Sequence, residues 1–408
     1  MSVVAHAAAI AAGAGALTWL YLLAFRQRFW RADQRLRPPS GTPPAIEIVA
    51  VIPARNEADV IGACIASLLK QSLAPPIRII LVDDESDDAT QRAAVDAARE
   101  CGAADRLTVI QGTRRPDGWT GKMWAVAQGA GAAEQIASRY LLLSDADIRH
   151  GPEVVAQMVM LAEAEKLDLV SLLVRLHCQG VIERLLIPAF VFFFQKLYPF
   201  RAINDPKSAT AAAAGGCMLV RADALKRAGG IAAVRDELID DCALARLLKS
   251  FGPIWLGLTT QSVSLRPYRG LADIWRMVAR SAYTQLGHSP WRLIGAVAGM
   301  TLAYVTAPVA LLIGLVLGKD LSAALGAAAW LLMGVAYAPT LRLYDLSPLW
   351  ACALPASALL YTIMTVDSAW QHARGRGGEW KGRLGGGLVS DPAAGPGAGL
   401  RRLRSEAS

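Results

Sequence analysis

Between residues 46 and 176, short β-branched runs alternate with alanine-rich stretches of helical spacing. The runs IEIVAVI, IRIILV, RLTVI, YLLLS and LDLVSLLV are apolar at nearly every position, as expected of strands covered on both faces. Strands alternating with helices predict an α/β unit built on a mostly parallel sheet. Outside this region the pattern changes. Residues 7–25 are uncharged and long enough to cross the ~30 Å hydrocarbon core of a bilayer. Three more apolar runs follow at 293–317, 321–339 and 349–369. The chain thus divides into an N-terminal transmembrane anchor (1–27), an α/β domain (45–290), C-terminal transmembrane helices (291–370) and a basic flexible tail (371–408).

Composition agrees with this division. Of the 408 residues 54% are hydrophobic and only 19% charged, an apolar excess over ordinary soluble domains that sits at the two ends. A cleaved signal peptide is disfavoured because no basic segment precedes the first run, while RQRFWRADQRLR follows it. Basic residues after the span favour an N-terminus outside and the α/β domain in the cytoplasm, which implies a multi-pass protein of the inner membrane. Three later crossings would place the basic segments RGRGGEWKGR and RRLR outside, unless one run is re-entrant or the first crosses twice. The net charge of +8 is accounted for by these membrane-flanking residues, which face anionic headgroups. No alternation of aromatic and basic residues marks a nucleic-acid platform, so nucleic acid is not an expected partner. Six scattered cysteines without a CxxC pair fit reduced thiols.

In open α/β sheets ligands bind beyond the carboxyl ends of the strands. Those ends here read PARNEADV, DDESDDAT, GTRRPDGWTGK and SDADIRH, four polar segments on one predicted edge. Asp83 and Asp84 could accept from a base or ribose, or serve as helix caps, a task open equally to Asp87 and Asp88. Lys122 opens a helix behind Gly121, so its ammonium and the helix terminus could both meet an anion. The spacing is wrong for a P-loop, and no G-x-G-x-x-G follows a strand. On an extended backbone Asp145 and Asp147 share one side, and carboxylates with substrate phosphates suit Mg²⁺. The set fits a nucleotide diphosphate. His150, after the same strand, reads as structural.

In this order, VVAVIPARNEADVIGACIASLLKQ, VDDESDDAT, GK, SDAD, GGCMLVRADALKRAGGI and LIDDCALA resemble the motifs of family 2 glycosyltransferases over roughly residues 46–290. The flanking membrane segments make the chain look most like the hopene-associated members, with ceramide glucosyltransferases more distant. The resemblance implies a GT-A type nucleotide-sugar-binding fold, a divalent cation (Mg²⁺ or Mn²⁺) and inverting transfer of a sugar from a UDP-activated donor. It implies that Pro53, Arg55 and Glu57 line the nucleotide pocket, that Asp83 or Asp84 faces the base, and that Lys122 lies near the diphosphate. Asp145 would face ribose and sugar, and Asp147 would ligate the metal. The general base, needed because the acceptor hydroxyl must lose a proton as it attacks, falls on Asp241, with Asp240 in the place of the usual glutamate.

Gly215 and Gly216 would let the acceptor approach the backbone, or merely relieve packing at a strand entrance. Relatives carry Q/R-x-x-R-W near the end of the domain; here IWRMVARSAYTQL offers Arg280 for the arginine, with Met277 and Ser281 at the flanking positions. That departure argues against a polymer acceptor. Residues 181–200 and 268–286 are amphipathic and are expected to lie at the membrane interface or to pack as core helices. The expected activity is therefore metal-dependent transfer of one sugar to a membrane lipid, with a processive polysaccharide synthase or a non-catalytic nucleotide-sugar-binding scaffold as alternatives.

Overall fold

The computed structural model describes residues 2–36 and 41–374, with a short antiparallel pair at Glu379–Trp380 and Arg383–Leu384. Most of the expected basic tail lies outside the described residues. The predicted runs form β1 (Ile48–Ala54), β2 (Arg78–Asp83), β3 (Leu107–Gln111), β4 (Tyr140–Ser144) and, after a two-residue β5 (Ile148–Arg149), β6 (Leu169–Arg175). Two further strands, β7 (Cys217–Arg221) and β8 (Ile254–Ser264), complete a sheet of order β3-β2-β1-β4-β7-β6-β8-β5.

The sheet is mixed, and six of its eight strands share one direction, so it is mostly parallel as expected. β3, β2, β1 and β4 run parallel, as do β6 and β8, but β7 is antiparallel to both β4 and β6, and β5 to β8. The physical reason is the path of the chain. It leaves β6 at the carboxyl edge, runs through the helix Val181–Leu197, and re-enters at the same edge with Cys217 paired to Ser144. A strand that enters where its neighbours leave must run against them. A register shift between Leu173 and Arg175 then bends the β6–β8 pair, and the end of β8 turns to meet β5.

Every residue of β1 and β4 is buried. On one face Ile48, Ala50 and Ile52 pack with Ile61, Ile65 and Leu68 of the helix Ala58–Leu69. On the other, Val49, Val51 and Val82 meet Met123 and Val126, and this core continues without a break to Trp19, Tyr337 and Met364. Those last residues belong to helices long and apolar enough to cross a membrane: Val3–Phe25, Pro290–Leu317, Asp320–Leu343 and Pro348–Ala373. Their outward side chains, among them Ile10, Leu315, Val316 and Leu331, are exposed. The long run near residue 300 is one continuous helix with a π-turn at Thr301–Val305, so it does not fold back on itself. The second and third spans approach closely because both contacts are glycine: a Cβ on Gly314 would come within 2.3 Å of Ala323 N, and one on Gly326 within 2.5 Å of Leu311 N.

The helix Val181–Leu197 is packed rather than spread on a surface. Phe192 is fully buried against Trp19 and Tyr337, and the hydroxyls of Ser357 and Tyr361 donate to the carbonyls of Leu185 (2.8 Å) and Leu186 (3.0 Å). The helix Leu271–Ala279 likewise lies on the last span, with Trp275 Nε1 donating to Asp367 Oδ2 at 2.7 Å. Both segments thus pack on the long apolar helices.

Candidate active site

The carboxyl ends of β1, β2, β4 and β6 and the end of β8 converge on one crevice. β4 stops at Ser144, and a turn follows in which Ile148 N donates to Asp145 O (3.3 Å). This turn corrects the extended geometry expected for Asp145 and Asp147. The two carboxylates diverge, each toward a different cation. Asp145 Oδ1 is 2.8 Å from Lys122 Nζ. Asp147 Oδ2 accepts from Ser264 Oγ at 2.9 Å and lies 3.4 Å from Arg266 Nε. Burial, and then the neighbouring charge of Asp145, raise the Asp147 carboxyl above its ordinary range, with Arg266 and Ser264 pulling the other way.

Lys122 stands at the start of the helix Gly121–Ala133, whose N-cap Thr120 accepts from Met123 N. It also reaches Asp240 Oδ2 at 3.7 Å, so one ammonium sits between two carboxylates from distant parts of the chain. Burial alone would lower this lysine's pKa; Asp145 and Asp240 more than reverse the effect and hold it charged. Asp240 and Asp241 open the helix Asp240–Lys249, where its dipole favours acids. Asp241 is fixed by two backbone donors, Gly215 N at 2.9 Å to Oδ2 and Cys242 N at 2.7 Å to Oδ1. Burial and the adjacent Asp240 raise the Asp241 carboxyl, while Lys122 lowers it. Gly215 lies against the same groups, since a Cβ there would sit 3.4 Å from both Asp241 Oδ2 and Lys122 Nζ, in ordinary van der Waals contact. Gly216 differs: its Cβ would meet only Val174 and Ile148. Pro53, Lys122, Asp145, Gly215 and Asp240 line one cleft.

A second group lies at the ends of β1 and β2. Arg55 donates to Asp84 O at 2.6 Å and lies 3.7 Å from its carboxylate. Asp83 Oδ1 accepts from both the backbone and the hydroxyl of Ser86. Capping falls to Asp88, which accepts from Thr90 N (2.9 Å) and, across the loop, from Ala58 N (3.1 Å). Glu57 pairs with Arg266. Arg280 is outside both groups, exposed beyond the helix Leu271–Ala279. His150 is buried between Ser144 Oγ (2.9 Å) and Ser262 Oγ (3.1 Å), and burial lowers its pKa to about 4; it is a neutral bridge between β4 and β8.

Sequence reasoning missed Arg266, Ser264 and Glu183. Arg266 follows the polar second half of β8 (TTQSVS), which lacks the all-apolar signature of the other strands. The signal was the same one used elsewhere, a charged residue just past a strand at the same edge. Among the described residues no group of three or more His, Cys, Asp or Glu side chains forms a metal cluster. The carboxylates of Asp145 and Asp147 are oxygen donors of the kind Mg²⁺ or Mn²⁺ takes, commonly one or two together with phosphates.

Residues 49–229 match the protein family described as Glycosyl transferase family 2. No curated protein matches the chain in sequence. Among solved structures, the chain is similar to the mannosyltransferase PcManGT from Pyrobaculum calidifontis, solved with GDP-Man and Mn²⁺. Identity is 18% with a TM-score of 0.50, over 89% of this chain and 99% of that one. Glucosyl-3-phosphoglycerate synthase from Mycobacterium tuberculosis, solved with Mn²⁺, UDP-glucose and phosphoglyceric acid, is 20% identical over 63% of this chain and 86% of that one, with a TM-score of 0.41. Residues 49–229 therefore carry the match to a glycosyl transferase family 2 domain, on a GT-A-like fold with a mixed sheet, and that domain is the one of a glycosyltransferase.

Proposed function

We propose that the protein transfers one sugar, with inversion, from a nucleotide-diphosphate sugar to the hydroxyl of a lipid at the cytoplasmic face of the inner membrane. A hopanoid is the lipid class to which the resemblance points. The observation that carries this reading is the convergence of Lys122, Asp145, Asp240 and Asp241 at the sheet edge that also abuts the membrane-directed helices. At that edge Arg175, the last residue of β6, donates to Tyr344 O (3.1 Å) and pairs with Asp345 (2.8 Å), between the third and fourth spans. An acceptor leaving the bilayer beside that connection would reach Asp241 without crossing bulk water.

In this reading Asp241, oriented by its two backbone donors, takes the proton of the acceptor hydroxyl as it attacks the anomeric carbon. The second lone pair on each of its oxygens remains available for that proton. Lys122 meets the donor's diphosphate, Asp145 meets ribose and sugar, and Arg55, Glu57, Asp83 and Asp84 frame the base. Asp147 would hold a divalent cation, which when bound would supply positive charge against the diphosphate. Pro53 and Gly215 wall the cleft, while Gly216 and Arg280 remain acceptor-side assignments drawn from the resemblance.

UDP is the donor the resemblance favours, and the GDP-Man bound by the similar mannosyltransferase makes GDP the necessary second arm. Membranes containing the protein are incubated with radiolabelled UDP- and GDP-sugars, with and without EDTA, and then extracted for lipid. Label in the lipid fraction only when metal is present is expected. Label in long polymer would replace the reading with a polysaccharide synthase, and no transfer from any donor would leave a scaffold.

A further inference from the structure

Arg266 bridges the two halves of the crevice: its guanidinium contacts Glu57, from the β1 end, and Asp147, from the β4 turn. Both partners are mostly shielded, with side chains 10% and 13% exposed, whereas Arg266 is 45% exposed. Its backbone is held on both sides. Leu265 N donates to Asp147 O at 2.8 Å. Tyr268 N donates to Glu183 Oε1 at 2.9 Å. Glu183 is itself a buried hub that also accepts from His177 Nδ1 (2.7 Å), Gln179 N (2.8 Å) and Gly180 N (2.8 Å). Burial works to raise this carboxyl, and the converging donors overcome it and hold it at about 2. The loop is thus anchored to the helix Val181–Leu197, while the long arm of Arg266 projects from fixed ends into the open side of the crevice.

That arrangement has a consequence for the metal carboxylate. A cation taking Asp147 Oδ2 as ligand must share that oxygen with a guanidinium nitrogen 3.4 Å away and meet a like charge. An arriving diphosphate changes the balance, because a guanidinium forms strong forked hydrogen bonds to phosphate oxygens. We propose that Arg266 is a built-in counter-ion that holds Asp147 and Glu57 in the donor-free protein and yields to metal when a nucleotide diphosphate draws its guanidinium away. Metal and nucleotide then bind with positive coupling, and the cation binds more weakly until a donor is present. The inference rests on the reading of Asp147 as the metal ligand.

The test measures Mn²⁺ binding by the electron paramagnetic resonance signal of the free ion, on the full chain in detergent, with and without UDP. No turnover is involved. UDP is expected to tighten Mn²⁺ binding to the wild-type protein by roughly tenfold, inside the usual range of coupling between sites. Arg266→Gln is expected to bind Mn²⁺ alone roughly tenfold tighter than wild type and to lose most of the UDP effect. Arg266→Lys keeps a charge beside two shielded carboxylates and so protects the fold, but loses the fork; it is expected to fall between the two. Equal Mn²⁺ affinity without nucleotide in wild type and in whichever of these variants folds overturns the counter-ion role. Asp147→Asn separates the two claims: it is expected to abolish Mn²⁺ binding under both conditions. Retained binding there removes the metal assignment and the counter-ion role with it, whereas lost binding with Arg266 variants unchanged removes the counter-ion role alone.

Discussion

The two halves of the crevice satisfy their polar groups in opposite ways. At the ends of β1 and β2 the loops largely satisfy themselves or each other: Ser86 with Asp83, Asp87 N with Asn56, and Thr90 and Ala58 with Asp88. Beyond β4 the charges meet partners far away in sequence, Lys122 with Asp240, Asp241 with Gly215, and Arg266 with Asp147. Hydrogen bonds within and between short loops make a pre-formed frame of the kind a nucleotide needs. Charges assembled from several elements, with carboxyls raised by burial and by one another, make a site poised for proton transfer and for binding a charged substrate. One half holds; the other reacts.

The sharpest way to break that division is Asp241→Asn. The amide keeps the size of the side chain and an oxygen to accept from Gly215 N, and it removes the proton acceptor. Turnover is expected to fall by ~10²–10⁴-fold, the usual share of general-base catalysis, while UDP affinity, read by titration calorimetry, stays near wild type. A variant that retains turnover would move the base elsewhere, and one that loses UDP binding would make the residue part of the frame.

Lys122→Met probes the same half with a smaller effect. It removes the cation between Asp145 and Asp240, and with it a charged contact to the donor worth about 1.5–3 kcal/mol. Donor kcat/KM is expected to drop by roughly 10–100-fold. The pH profile carries the more specific signature. A base must be unprotonated, so activity fades as pH falls through the pKa of Asp241. That carboxyl is raised by burial and Asp240 and lowered by Lys122, so losing the lysine should move the acid limb to higher pH. A limb that stays in place would detach Lys122 from the base.

The same contrast explains what could be read from sequence. β1 to β4 and the helix starts at Gly121 and Asp240 were legible because each is written in a continuous local pattern, apolar run or acidic first turn. The antiparallel β7 was not, because its direction depends on where the helix Val181–Leu197 returns the chain, and that is set by packing against the long apolar helices. Arg266 was hidden for a related reason: its partners are more than a hundred residues away, brought close by the β5–β8 pairing. The burial of Phe192 also came from outside its own segment, from Trp19 and Tyr337.

The mildest perturbation addresses the holding half. Asp88 accepts from Thr90 N at the start of one helix and from Ala58 N at the start of another, which ties the loops after β1 and β2 together. Asp88→Ala removes both caps, each worth roughly 0.5–2 kcal/mol, and should lower the midpoint of thermal unfolding. Because the side chain accepts from the backbone and hydroxyl of Thr90 and from Ala58 N, kcat at a temperature well below the transition should stay within about threefold of wild type, a change of under ~1 kcal/mol in the barrier. A large fall in kcat with an unchanged unfolding midpoint would place chemistry in the loop that the hydrogen bonds assign to support, and the contrast between a holding and a reacting half would fail there.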